Sequence, residues 1–136
     1  MNIDKFKQQH DEIIESVTAL RQLAKKGIIE HAAEISQQIV SMSSIIKLHL
    51  AVEDTLLYPA LRDANNPLMA IMSKKFQDEM DVIASAYMHF SRNWNSAAKV
   101  ASGPESFRSE ANSVLKTLYE RMQRENTIFY PAIEAL

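Results

Sequence analysis

The sequence predicts an all-α protein, an antiparallel four-helix bundle running up-down-up-down. Three observations carry this reading. Apolar residues recur at alternating steps of three and four through four long stretches, the period of a helix with one buried face. The 136 residues include only two glycines and four prolines, which suits long helices better than a turn-rich β fold. The stretches are joined by short connections, so each helix is the antiparallel neighbour of the next. Steps of three and four also favour the ~20° packing of such bundles. No linker or low-complexity segment divides the chain, and residues 1–136 read as one bundle.

The first helix begins near Asn2 or Asp4, either of which can cap it. Its inward seam is Phe6, His10, Ile13, Val17, Leu20 and Ala24, and Gly27 after Lys25-Lys26 stops it. The second runs from about Ile29 to Tyr58, with Pro59 near its end. Its seam is Ile35, Ile39, Met42, Ile46, His49, Glu53, Leu56 and Ala60. Asn65-Asn66-Pro67 punctuates the turn that follows. The third is expected from about Leu68 to Val100, on a seam from Met69 and Met72 through Phe76, Met80, Ile83, Tyr87, Phe90 and Trp94 to Ala97 and Ala101. Ser102-Gly103-Pro104 ends it. The fourth starts near Ser106, with the seam Phe107, Ala111, Val114, Leu118, Arg121, Glu125, Ile128 and Ala132.

Composition excludes several functions. A net charge of −2 gives no electrostatic footprint for nucleic acid, and Lys25-Lys26 and Lys74-Lys75 are solvated pairs rather than a basic stripe. With no cysteine, disulfides, thiolate zinc sites and cysteine nucleophiles are ruled out. No apolar run approaches the ~18 residues of a membrane span, and the N-terminus lacks an apolar signal region. The expectation is a soluble, cytoplasmic protein, monomeric or homodimeric. There is no nucleophilic triad and no phosphate loop, so a binding role is expected before an enzymatic one.

The chemistry lies in the polar residues that occupy seam positions. His49 and Glu53, four residues apart, share the buried face of the second helix, where a core wants leucine. A carboxylate there is costly unless it is paired or bound to a metal. His10 stands on the first seam, and Arg121 and Glu125 on the fourth. His31 and His89 lie off the seams and read as surface residues. Met80 reads as core filler, Tyr87 as core, and Tyr58 and Tyr130, each next to a proline, as structural.

The halves also resemble each other. His49-Leu50-Ala51-Val52-Glu53-Asp54-Thr55-Leu56-Leu57-Tyr58-Pro59-Ala60-Leu61 aligns with Arg121-Met122-Gln123-Arg124-Glu125-Asn126-Thr127-Ile128-Phe129-Tyr130-Pro131-Ala132-Ile133. The odd-numbered helices match more weakly, Phe6 to Asp11 against Phe76 to Asp81. A duplicated helical hairpin would bring His10, His49 and Glu53 from one half to face Met80, Arg121 and Glu125 from the other.

A lone histidine on the first helix, then HxxxE with a YPAL-like segment, then ExxxxYPA, resembles the hemerythrin-like (HHE cation-binding) domain over nearly the whole chain. That resemblance implies a carboxylate-bridged di-iron centre between four helices. Carried over by position, it makes His10, His49, Glu53 and Glu125 metal ligands. The expected second-half histidines fall on Met80 and Arg121, and Ala84 offers no ligand, so the second metal position is lost. What remains implies one non-haem metal. Iron is the first choice, and zinc or manganese are chemically acceptable. The role would be metal, oxygen or nitric oxide sensing, or metal handling, with a metal ion and a small diatomic ligand as partners. The alternative is a metal-free regulatory or binding bundle, in which Arg121 neutralises Glu125 and Glu53 in place of the second metal. A mononuclear oxidoreductase is a third reading, for which no substrate pocket can be read. Arg121 itself either points inward or snorkels to the surface.

Overall fold

The computed structural model describes residues 2–136. Helix α1 spans Asp4–Lys26, with the Asn2 side chain accepting from the Asp4 N–H at 2.9 Å. Gly27, at φ +136°, takes the left-handed conformation that ends it. The turn after Gly27 carries the chain to His31, so α2 (Ala32–Val52) begins three residues later than the seam suggests. Ile28 is buried and pegs this turn to the core.

The second long helix does not stop at Val52. It widens into a π-helical turn, π1 (Glu53–Leu57), and continues as α3 (Tyr58–Arg62). The fourth repeats this break: α6 (Pro104–Arg124), π2 (Glu125–Phe129) and α7 (Tyr130–Glu134). Each π turn lies just ahead of a proline, Pro59 or Pro131. Proline has no N–H for an α-helical bond, and its ring collides with the carbonyl four residues back. A widened turn relieves that collision and lets the helix run on past the proline.

The widening moves the seam by one residue. Leu56 is 57% exposed, whereas Leu57 is fully buried. Ile128 is 51% exposed, whereas Phe129 is fully buried. Beyond the two glutamates the inward residues are therefore Leu57 and Leu61, and Phe129 and Ile133, in place of the expected Leu56 and Ala60, and Ile128 and Ala132.

Helix α4 (Pro67–Asn93) opens with the Asn66 side chain accepting from the Met69 N–H at 3.0 Å and Pro67 in the first turn. The expected single helix to Val100 breaks at Trp94. Ser96 caps a new short helix, α5 (Ala97–Ser102), by accepting from the Lys99 N–H. Trp94 is held aside by a 2.9 Å bond from its indole N–H to Glu110 and an edge contact with Phe107.

Helix α1 packs on α2 and α6, and α4 packs on α2 and α6, closing the antiparallel ring. No strand occurs among the described residues, and no helix there is long and apolar enough to cross a membrane. Two apolar clusters fill the interior. One contains Ile13, Ile46, Met80, Leu118 and Met122. The other contains Phe6, Leu57, Phe76, Phe129 and Tyr130. On α1, α2 and α6 the polar seam residues fall between members of the two clusters, so a buried polar layer divides the core.

Candidate metal centre

That layer is built from His10 on α1, His49 on α2, Glu53 at the start of π1, Arg121 on α6 and Glu125 at the start of π2. All five are buried. His10, His49 and Glu125 each aim one ligand atom at a common region, all within 4.8 Å of one another. The Nε2 atoms of His10 and His49 are 3.1 Å apart. His10 Nε2 is 2.7 Å from Glu125 Oε2, and His49 Nε2 is 3.0 Å from Glu53 Oε1.

The outward ring nitrogens fix the tautomers. His10 Nδ1 lies 3.0 Å from Asn126 Oδ1, and His49 Nδ1 lies 2.8 Å from Gln9 Oε1. Amide oxygens only accept, so each Nδ1 carries a proton and donates it. A neutral imidazole then has a lone pair at Nε2, the arrangement found in metal-ligating histidines. Burial pushes the His49 imidazole down, against a smaller upward pull from Glu125, and so favours this neutral form.

The carboxylates are not satisfied by their neighbours. Both oxygens of Glu53 and Oε2 of Glu125 are buried without a hydrogen bond, because the close imidazole contacts lack hydrogen-bond geometry. A proton shared between the two Nε2 atoms would still leave these oxygens without a donor. A cation held by the same imidazoles and carboxylates would satisfy the set. The residues present therefore fit a metal ion, with two imidazoles and carboxylates of the kind that suit non-haem iron.

Glu53 and Glu125 differ in charge. Burial and the neighbouring Glu125 push the Glu53 carboxyl well above the usual range. Burial also works to raise Glu125, but the positive charge that His10 carries when protonated, 2.7 Å away, and the Arg121 guanidinium outweigh it and hold Glu125 below its ordinary value. The surroundings thus favour the charged form more at Glu125 than at Glu53.

Arg121 points inward and is 1% exposed. Its Nε donates to Glu125 Oε1 at 3.0 Å, one Nη donates to the Phe76 carbonyl, and the other reaches Glu79 Oε2 at 3.4 Å. The guanidinium lies 4.5 Å from the centroid of the Phe76 ring, a cation–π contact. Of the two partners expected for it, Glu125 is met directly, whereas Glu53 is not hydrogen-bonded to it. Met80 is buried in the larger apolar cluster.

Sequence reasoning missed four members of this layer. Gln9 and Asn126 sit beside seam residues and left no signal of their own. Glu79 is one position from Met80, and it accepts from Arg124 at 3.1 Å as well as from Arg121. Tyr130 read as structural, yet its hydroxyl lies 2.9 Å from His10 Nε2 and its ring stacks on the imidazole at 4.8 Å. Its signal was present: each glutamate is followed five residues later by tyrosine and then proline. The π turn, with the Tyr130 N–H bonded to the Glu125 carbonyl, brings the two onto one face. The Tyr58 N–H bonds to the Glu53 carbonyl in the same way, but the buried Tyr58 hydroxyl has no partner. Burial first, and the carboxylates next, push both phenols up.

Fold and site together define a helical bundle with a buried His/His/Glu group able to hold a metal ion. The family model of the hemerythrin HHE cation binding domain matches residues 1–133, and the chain belongs to this family. No curated protein and no solved structure matches it significantly.

Proposed function

We propose that the chain holds one non-haem metal ion, iron first, through His10, His49, Glu53 and Glu125, and that Arg121 takes the place of a second ion. The observation that carries this is the pair of imidazole nitrogens 3.1 Å apart, each ring with its other nitrogen beside an amide oxygen, flanked by carboxylate oxygens without donors. Bound iron would supply a redox-capable centre open to a diatomic ligand. The chain's own residues do the rest. Gln9 and Asn126 orient the imidazoles, Arg121 neutralises Glu125, and the two apolar clusters keep water from the layer. Because oxygen carriage in this family uses two irons, the role we assign is sensing of metal, oxygen or nitric oxide, or metal handling.

Elemental analysis of the purified protein, and again after anaerobic Fe(II) addition and desalting, tests this. Retention near one iron per chain is expected. Retention of two would remove Arg121 from its assigned place. Retention of none would remove the metal.

A second reading is favoured by one contact, the Arg121–Glu125 hydrogen bond at 3.0 Å. It makes the protein a metal-free regulatory or binding bundle, with this pair in place of a centre. Under that reading the chain retains neither iron, zinc nor manganese.

A further inference from the structure

We infer that Tyr130 is itself a ligand of the metal, binding as a phenolate, and that this makes the centre one for ferric iron. The inference rests on the reading above that an ion sits among His10, His49 and Glu125. Its basis is where the Tyr130 hydroxyl lies. It is 2.9 Å from His10 Nε2, the atom that also stands 3.1 Å from His49 Nε2 and 2.7 Å from Glu125 Oε2. The phenol oxygen is thus a further donor beside the histidine atom on which the proposed ligand set is centred. Tyr130 is fully buried there, held from one side by the His10 ring stack and from the other by the π turn it shares with Glu125.

The charge of the layer leaves room for a phenolate, and the hardness of that donor points to the ferric state. Glu53 and Glu125 supply two negative charges when an ion is present, and Arg121 is a permanent positive one. A ferric ion added to these leaves a net charge of two plus in a fully buried layer, and a phenolate halves it. Phenolate is a hard oxygen donor, matched to a hard trivalent ion. The step balances without a redox partner. The Tyr130 O–H bond breaks as the O–Fe bond forms, the proton passes to buffer, and iron added as Fe(III) remains Fe(III).

The other tyrosines are differently placed. Tyr87 donates to the Ile39 carbonyl at 2.7 Å, and Tyr119 is on the surface. Tyr58 lies in the layer but has no polar contact.

The test is to load wild type, Tyr130→Phe and Tyr58→Phe with ferric nitrilotriacetate, desalt, and measure iron per chain beside the visible and resonance Raman spectra. Wild type should retain iron and show an intense phenolate-to-iron charge-transfer band with tyrosinate vibrations. Tyr130→Phe should retain iron and lose the band completely, while Tyr58→Phe keeps it. Iron retained by wild type without tyrosinate vibrations would overturn the inference and leave the metal reading standing. A band that survives in Tyr130→Phe, or disappears in Tyr58→Phe, overturns it too. If wild type retains no iron, the metal reading itself falls, and the inference with it. Should Tyr130→Phe fail to fold, a wild-type band that persists in Tyr58→Phe assigns it to Tyr130, the remaining tyrosine of the layer.

Discussion

The two halves of the polar layer share a backbone and differ in charge. In each, a π turn begins at a buried glutamate and ends before a Tyr-Pro pair. Four residues before the glutamate stands His49 in one half and Arg121 in the other. On the facing helices His10 corresponds to Met80. Arg121 gives Glu125 a cation that is covalently part of the chain, with a 3.0 Å bond to Oε1. Glu53 has no such partner, and both of its oxygens lack a donor. The same cost, a carboxylate taken out of water, is met by a side chain on one side and left open on the other. A cation from outside would complete the open side.

The comparison breaks most readily at Arg121. Removing one partner of a buried pair typically costs about 3–5 kcal/mol, because the other charge is left uncompensated. Arg121→Met, studied by urea unfolding of the metal-free protein, is expected to lose stability in that range. A loss under about 1 kcal/mol, the scale of an exposed pair, would mean that the arginine does not neutralise Glu125.

The shared backbone is tested by the register beyond each glutamate. Leu57→Ala should cost about 2–5 kcal/mol as a truncation in the core. Leu56→Ser should stay within about 0.5 kcal/mol, as a surface change. The opposite ranking in thermal melts would place the seam where a continuous α-helix puts it and eliminate the π turn.

These positions also mark how far the sequence could be read. The four helices and the five polar seam residues were legible because burial enforces a three-four period, and His10, His49, Glu53, Arg121 and Glu125 all lie inside. The period is only as good as the helix that carries it. A π turn inserts a residue of phase, so the reading failed just past Glu53 and Glu125, where Leu57 and Phe129 replace Leu56 and Ile128. The break at Trp94 escaped for a different reason. Its side chain is drawn to Glu110 and Phe107 on another helix, and no local pattern encodes that. Gln9, Asn126 and Glu79 were invisible likewise, since their partners arrive from elsewhere in the fold.

The open half is tested by metal. An ion bound only to the native state stabilises it by about 2.7 kcal/mol at a hundredfold excess over Kd. Wild type should therefore melt higher with Fe(II) than with chelator, whereas His49→Leu should fold and melt alike in both. Equal chelator sensitivity in the two proteins would exclude His49 as a ligand. The converse experiment makes the halves alike. Met80→His combined with Arg121→His gives the second half two imidazoles to accompany Glu125, and iron per chain should rise toward two. A folded double variant that binds no more iron than wild type would show that these positions are not a lost half-site.

Among the charged residues around the layer, the smallest effect is expected at Glu79. It accepts from both Arg121 and Arg124 through one oxygen, at 3.4 and 3.1 Å, and is one-third exposed. Solvent screens a charge so placed, and the Arg124 it shares is on the surface. Glu79→Gln leaves Arg121 its bonds to Glu125 and to the Phe76 carbonyl, so the buried guanidinium stays compensated. The loss should be about 0–1 kcal/mol, falling further at high salt. The contrast with Arg121→Met is the informative quantity. If Glu79→Gln costs as much as Arg121→Met, the arginine is neutralised from the surface rather than by Glu125. Glu125 would then need a cation as badly as Glu53 does, and the difference between the halves would vanish.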